Sequence, residues 1–214
     1  MSEVIAWSTA LVSMVWLAES ISGQRRRPRR IGVKTARSWL QPWPEVSRVL
    51  FAVLAVAALL FDLGTFRVEG AVLLQAPGLL LAIAATVLSA RARVEMGEQY
   101  ATGIQAWTGQ QLVTGGLFSL VRHPIYLSVV AMWLGAGLGM ASWLLVVVGV
   151  VAVSPAFYLM ARHEEKLILD HFGRRYCEYR AQVPMLLPWP RPSGLVEVPS
   201  SVEVTEQPNV AEQE

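Results

Sequence analysis

Residues 125–161 read IYLSVVAMWLGAGLGMASWLLVVVGVVAVSPAFYLMA and contain no Asp, Glu, Lys or Arg. Two apolar runs, Ile125 to Met140 and Trp143 to Ala161, are separated by a single Ala-Ser dipeptide. Uncharged runs of this length predict helices that cross a bilayer, and the short break predicts a tight turn between them. The stretch therefore predicts a helical hairpin that leaves one membrane face and returns to it. Three closely spaced glycines would let neighbouring helices approach each other: Gly135, Gly137 and Gly139.

The rest of the chain has the composition of a membrane protein. Of 214 residues, 54% are hydrophobic and only 16% are charged, with a mean hydropathy of +0.43. A soluble domain would have too little polar surface at this composition. Three further apolar stretches, residues 4–21, about 46–66 and about 71–90, precede the hairpin. We therefore expect an all-α integral membrane protein with about five transmembrane helices.

Charge distribution predicts the orientation of these helices. A run of arginines at residues 25–30 follows the first apolar stretch, which is the reverse of the order in a secretory signal. The positive-inside rule puts this run in the cytoplasm, and hence the N-terminus outside and the C-terminus inside. Usage rich in Arg, Ala and Val indicates a bacterial protein, and hence a bacterial plasma membrane.

The sequence divides into three regions. Residues 1–92 are expected to form an N-terminal three-helix membrane region. Residues 93–190 contain a polar, glycine-rich loop, the hairpin and, from Glu164 to Val183, an amphipathic segment that we expect to form a cytosolic helix interrupted at Gly173. Residues 191–214 lack an apolar period and predict a disordered tail.

Several classes of function are excluded by the composition. A net charge of +2, with arginines gathered in one loop, does not favour nucleic-acid binding. Cys177 is the only cysteine, so an internal disulfide and a multi-cysteine metal cluster are excluded. The three histidines lack the spacing of a metal site, and we predict none. They are His123, His163 and His171.

The first motif with chemical potential is LVTGGLF at residues 112–118, followed by RHPIY at residues 122–126. Pro124 is expected at the first turn of the fourth helix, whose free N–H groups favour an anion such as a carboxylate. His123 and Tyr126 add a titratable group and a hydroxyl at the same level, and Arg122 could extend to the lipid headgroups. The alternative is an ordinary interfacial belt without chemistry.

The second motif is Arg162-His163-Glu164-Glu165, at the end of the fifth apolar stretch. The hairpin would return these carboxylates to the level of RHPIY. Carboxylates on one side and a helix N-terminus on the other suit a cationic ligand that carries an amine, hydroxyls and a carboxylate. The alternative is a solvated helix end whose ion pairs contribute little.

Taken together, these segments resemble the isoprenylcysteine carboxyl methyltransferase family and its phospholipid methyltransferase relatives. The resemblance rests on LVTGG, RHPIY, the hairpin and Glu164-Glu165, and then on FGxxYxxY at residues 172–179, Val183-Pro184 and Leu187-Pro188. It implies that residues 93–190 form a catalytic region. It further implies a cytosolic S-adenosylmethionine site closed by the C-terminal segment, with an acceptor that enters from the bilayer.

The resemblance also implies roles for individual residues. His123, Glu165 and Arg162 would be catalytic, with Arg162 orienting the acceptor. The residues implied to bind the cofactor are Gln105, Gln111, Leu112, Val113, Phe118, His123, Pro124, Ile125, Tyr126, Glu164 and Glu165. Phe118 stands where the family often has tyrosine.

The acceptor and the function remain open on the sequence alone. A prenylated cysteine carboxylate, a phospholipid amine, a quinone-like phenol and a small thiol all fit a lipid-like acceptor, and the oligomeric state is undetermined. Two other functions are alternatives. One is a membrane reductase of the sterol type that uses NADPH, and the other is a non-catalytic scaffold that binds membrane lipids through its arginines.

Overall fold

The computed structural model describes residues 1–22, 34–35, 39–62, 64–65, 72–100 and 105–188. The arginine run at residues 25–30 and the predicted tail at residues 191–214 lie outside the described residues. Seven helices and one short strand pair make up the described fold, in the order α1 (Ser2–Ser22), β1 (Lys34–Thr35), α2 (Trp43–Phe61), α3 (Val72–Met96), β2 (Gln105–Ala106), α4 (Pro124–Gly139), α5 (Trp143–Val148), α6 (Ser154–Phe172) and α7 (Arg174–Gln182).

Among the described residues, four helical stretches are long and apolar enough to cross a membrane: Ser2–Ser22, Trp43–Phe61, Val72–Gln99 and Trp143–Phe172. The apolar helix α4 is shorter and forms the first arm of the hairpin. These helices confirm the predicted all-α, multi-pass membrane fold. The one small sheet among the described residues pairs β1 with β2 in antiparallel fashion, placing Thr35 opposite Gln105.

The ends of two helices differ from those expected. Helix α2 ends at Phe61 rather than near residue 66, because Asp62 adopts a left-handed conformation with φ 52°. Helix α3 continues past residue 90 to Met96, and Arg93 in this extension is stabilised by an ion pair with Glu19 of α1, 3.3 Å away. The polar loop is correspondingly shorter than predicted.

The second arm of the hairpin differs more. A π-helical turn at residues 149–153 joins α5 to α6 without a break. The helix therefore extends continuously from Trp143 to Phe172. Pro155 lacks an N–H, and the hydroxyl of Ser154 donates to the carbonyl of Gly149 at 2.7 Å within this turn. The first half of the predicted amphipathic helix is therefore the end of a spanning helix. The second half is α7, which begins after Gly173 at φ 54°.

Small residues allow α4 to lie at the centre of the bundle. A side chain on Gly135 would fall 2.6 Å from the backbone nitrogen of Ala82 in α3. The other two glycines face different neighbours, since Gly137 abuts Val146 in α5 and Gly139 abuts Thr9 in α1. Helices α3 and α4 form the most extensive contact of the fold. The packing role predicted for these glycines is confirmed.

An aromatic cluster joins three helices beneath the chemically interesting end of the bundle. Phe51 of α2 makes edge contacts with Trp16 of α1 and with Trp133 of α4, at ring-centre distances of 5.6 and 5.2 Å. The indole N–H of Trp133 also donates to the hydroxyl of Ser47 at 3.3 Å. Each such aromatic pair contributes about 0.5–1.5 kcal/mol beyond the area it buries. The cluster thus fixes α1 and α2 against the hairpin.

We predict that Gly135→Ala lowers the thermal unfolding midpoint in detergent, because its methyl group meets backbone atoms of α3 that cannot move without separating the helices. Overpacking of this kind costs about 1–3 kcal/mol. Gly115→Ala is the matched control, since a side chain there meets no atom within 4 Å and its φ is −92°. Equal midpoints for the two variants would contradict the packing account.

Candidate active site

The ends of five helices meet at one end of the bundle and enclose a cavity. These are the C-terminal ends of α1, α3 and α6 and the N-terminal ends of α2 and α4, with α7 and the loop before α4 completing the wall. The cavity holds about 1150 Å³ of free space, counted to its open mouth. A concave site lined mainly by apolar side chains, with a few polar and charged groups, is typical of small-molecule binding.

Arg122 organises the wall of this cavity. Its side chain is buried and donates from Nε to Oε1 of Glu165 at 2.7 Å, with Nη2 2.6 Å from the same oxygen. Its Nη1 donates to the backbone carbonyls of Arg180, at 3.0 Å, and of Val183. One guanidinium therefore connects the start of α4 to α6, to the last turn of α7 and to Val183 directly after it.

Backbone hydrogen bonds extend the same connection. The amide of Arg122 donates to the carbonyl of Pro184 at 2.9 Å, and the amide of His123 donates to that of Met185 at 3.0 Å. The hydroxyl of Tyr179 donates to the carbonyl of Phe118 at 2.6 Å. Residues 174–185, which we call the C-terminal segment, are thus fastened over the N-terminal end of α4.

Burial keeps the tyrosines of the C-terminal segment protonated. It raises the pKa of Tyr179 to about 12, and it raises the pKa of Tyr176 well above its usual range. Tyr179 is therefore a hydrogen-bond donor at neutral pH, as its contact with Phe118 requires. Tyr176 lines the cavity, and its buried hydroxyl has no hydrogen-bond partner within the described part of the chain.

Three predicted residues form a cluster inside the cavity. The Tyr126 hydroxyl donates to Oε2 of Glu164 at 2.6 Å, and the rings of Tyr126 and His123 are stacked 5.3 Å apart. The two ring nitrogens of His123 face different carboxylates. Nε2 is 3.3 Å from Oε1 of Glu165, and Nδ1 is 3.8 Å from Oε2 of Glu164. The imidazole is therefore held between the adjacent acids of α6.

The loop before α4 is positioned by α3. The amide of Leu117 donates to Oε2 of Glu95 at 2.7 Å, and Gly116, at φ 60°, lies so close to this carboxylate that a side chain would clash with it. Glycine is required here by both the backbone conformation and the contact. The loop thereby presents Leu112 and Val113 to the cavity.

Most of the predicted site residues line the cavity, and three do not. Glu165 is buried behind the wall, where it contacts Arg122 and His123, whereas Glu164 reaches the cavity. Gln105 lies in β2, outside the lining, and Arg162 is exposed and bonded to the hydroxyl of Tyr158 at 3.2 Å. The predicted residues in the lining are Gln111, Leu112, Val113, Phe118, His123, Pro124, Ile125, Tyr126 and Glu164.

The role of Arg122 and several residues of the cavity wall were not predicted from the sequence. Arg122 does not extend to the headgroups as expected, because only 6% of its surface is exposed and its donors bind within the protein. Spacing could have indicated Tyr176 and Tyr179, since they follow the helical period of the amphipathic segment. No local pattern marks the contributions of the first three helices, which include Trp16, Arg48 and Arg93.

Comparison with known proteins gives this geometry a context. The family model for phospholipid methyltransferases matches residues 73–175, which include the loop, RHPIY and Glu164-Glu165. The fold resembles that of the eukaryotic intramembrane Ras methyltransferase, isoprenylcysteine carboxyl methyltransferase, with a TM-score of 0.53 and 22% identity over 69% of this chain and 53% of that one. Residues 73–175, just under half of the chain, are thus similar to the phospholipid methyltransferases, and the fold is that of an intramembrane methyltransferase.

Two curated relatives are similar over part of the chain. The methanethiol S-methyltransferase 1 of Bradyrhizobium diazoefficiens is 36% identical over 76 residues, which are 35% of this chain and 25% of that protein. The methanethiol S-methyltransferase of Mycobacterium tuberculosis is 35% identical over 91 residues, which are 40% of this chain and 36% of that protein. The matched part is thus about a third or less of each relative's length.

We predict that Arg122→Leu loosens the C-terminal segment and destabilises the fold, because it leaves the Glu165 carboxylate buried without its main partner. Breaking a buried pair in this way costs about 3–5 kcal/mol. Hydrogen exchange of residues 176–185 measures the loosening directly. Arg174→Leu is the control, because its ion pair with Glu178 at 2.9 Å is exposed and should contribute little. Unchanged exchange in Arg122→Leu would contradict the role of the arginine.

Proposed function

We propose that this protein transfers a methyl group from S-adenosylmethionine to an acceptor that partitions into the membrane. The observation that carries the proposal is the placement of Glu164, His123 and Tyr126 in one cavity with the N-terminal end of α4. The family model and the two curated relatives that the chain resembles are named methyltransferases, which supports this function over an NADPH-dependent reductase or a scaffold.

The side chains present fit the cofactor. Oε2 of Glu164 accepts from Tyr126, and the rest of the carboxylate can accept hydrogen bonds from an amine or from ribose hydroxyls. The first turn of α4, which begins at Pro124, offers the unpaired N–H groups of Ile125 and Tyr126 to a carboxylate. Apolar side chains of Leu112, Val113 and Phe118 are suited to a purine face.

The protein's contribution to the reaction is alignment and the exclusion of water. When bound, S-adenosylmethionine supplies an electrophilic methyl group on a sulfonium. The cavity holds the two reactants in one space, and alignment of that kind can supply about 7–11 kcal/mol of a barrier. A thiolate or carboxylate acceptor needs no base. His123 can take a proton from a neutral acceptor, because its ring nitrogens are held against the carboxylates of Glu164 and Glu165.

Glu165 and Arg162 have different roles in this proposal. Glu165 acts as a positioning residue, since it holds Arg122 and His123 from behind the wall. Arg162 is exposed on α6 and would contact an acceptor only at the mouth of the site. Gln105 lies in β2, whose pairing with β1 supports the loop before α4, and in this proposal it does not contact the cofactor.

The orientation in the membrane is part of the proposal. The arginine run at residues 25–30 falls in sequence between the end of α1 and the start of α2, and both of these helix ends contribute to the cavity. The positive-inside rule therefore puts the site at the cytoplasmic face, the side on which S-adenosylmethionine is made. A bacterial plasma membrane suits this arrangement.

We predict that detergent-purified protein binds S-adenosylmethionine and S-adenosylhomocysteine saturably in calorimetry, and that Glu164→Gln weakens both by about tenfold or more. Loss of a hydrogen bond to a charged group costs about 1.5–3 kcal/mol. Glu178→Gln is the matched control, because that glutamate lies on the exposed face of α7 and pairs only with Arg174 among the contacts described.

Binding of NADPH is measured beside these ligands. Saturable NADPH binding without binding of S-adenosylmethionine would overturn the proposal in favour of a reductase. Folded protein that binds none of the three would leave only the scaffold.

A further inference from the structure

The cavity wall contributed by the first three helices contains hydrogen-bond donors that lack partners. Among the described residues, Nε1 of Trp16 and Nε of Arg93 are buried without a hydrogen bond, and Nη2 of Arg48 has only an ion pair with Glu45; all three side chains line the cavity. Each of these atoms carries only N–H, so none can accept. A buried donor is normally satisfied, and two unsatisfied donors beside a second guanidinium on one wall indicate that a ligand supplies the acceptors.

Arg93 is held in place by contacts that leave Nε unused. Its Nη1 donates to the backbone carbonyl of Glu19 at 3.0 Å and lies 3.3 Å from the carboxylate of the same residue. Its guanidinium lies over the ring of Tyr100 at 5.3 Å. The hydroxyl of Ser89 also donates to the Glu19 carboxylate at 3.1 Å, which fixes that acid. Arg93 is therefore oriented before any ligand arrives.

Arg48 and Trp16 complete the wall from the two neighbouring helices. Nη2 of Arg48 is ion-paired with Glu45, one turn earlier in α2, but this contact does not have hydrogen-bond angles. Glu45 is largely exposed, so the pair is weakened by solvent, whereas the guanidinium is mostly buried. Trp16 is fully buried, and its edge contact with Phe51 fixes the indole.

The two walls of the cavity are chemically opposite. The α4 and α6 wall presents the Glu164 carboxylate, which suits the cationic cofactor. The wall from α1, α2 and α3 presents donors and two guanidinium groups, which suit an anion that can accept several hydrogen bonds. Methanethiol, the acceptor in the names of the curated relatives, has no oxygen to satisfy these donors.

We propose that Trp16, Arg48 and Arg93 form a subsite that anchors an oxyanion group, either phosphate or carboxylate, of an amphiphilic acceptor. The anchored group fixes the acceptor's polar end, and its apolar chain extends toward the bilayer. The assignment to an acceptor rests on the proposed methyl transfer, whereas the oxyanion subsite itself rests on the donors alone.

The test compares four ligands of equal chain length in a neutral detergent: dodecyl phosphate, laurate, dodecanol and dodecanethiol. Affinity is measured by calorimetry on the full chain. We expect the two anions to bind at least tenfold more tightly than the two neutral compounds, and the difference between phosphate and carboxylate identifies the better source of the oxyanion. Equal affinity for all four would overturn the subsite.

Variants assign the binding to these side chains. Arg93→Gln should weaken the anions at least tenfold and leave dodecanol unchanged. Trp16→Phe keeps the aromatic contact, removes only the N–H, and should weaken the anions about threefold, so it serves if Arg93→Gln does not fold. Arg174→Gln, a charge change on the exposed face of α7, is the control and should change nothing. Anion affinity that survives in both Arg93→Gln and Trp16→Phe would overturn the proposal.

Binding of S-adenosylhomocysteine separates this inference from the proposed function. Arg93→Gln should bind it within twofold of the wild-type protein, because the subsite lies on the opposite wall. Anion binding without S-adenosylhomocysteine binding would contradict methyl transfer but support the subsite. Binding of S-adenosylhomocysteine without preferential binding of the anions would contradict the subsite but not the proposed methyl transfer.

Discussion

The buried ion pair between Arg122 and Glu165 is the interaction on which the site depends. Two ions at this level of a membrane protein are stable only if every charge and donor has a partner. Arg122 meets this condition with Glu165 and with the carbonyls of Arg180 and Val183. Satisfying the arginine thus requires the C-terminal segment to lie against α4 and α6. The same contacts hold His123 beside the cavity. The contacts that satisfy the buried guanidinium therefore also shape the candidate active site.

The hairpin and the first three helices make different contributions to one cavity. The hairpin supplies Glu164, His123 and Tyr126, which lie within the residues that the family model matches. Helices α1 and α2 lie outside the matched residues and supply Trp16 and Arg48. Under the proposed function, the wall within the matched residues binds the cofactor, and the wall that includes α1 and α2 binds the acceptor.

The sequence predicted the parts of this account that depend on local pattern. Uncharged apolar runs predicted the helices, and the RHPIY and Glu164-Glu165 motifs predicted most of the α4 and α6 side of the cavity, because spacing along a hairpin determines which residues share a level. The end of α2 at Asp62 and the turn that joins α5 to α6 at residues 149–153 were not predicted, because both depend on backbone conformation. The partner of Arg122 and the donors Trp16 and Arg93 depend on how distant helices pack, which no single-sequence period records. The sequence also could not predict that Glu164, rather than Glu165, faces the cavity, because this depends on the rotation of α6 about its axis.

The most direct test of the account is an experimental structure of the protein with S-adenosylhomocysteine bound. The account predicts density for the ligand between Glu164 and the first turn of α4, with Arg122 joined to Glu165 and the C-terminal segment closed over it. Ligand density elsewhere, or bound ligand with the Arg122–Glu165 pair broken, would contradict it.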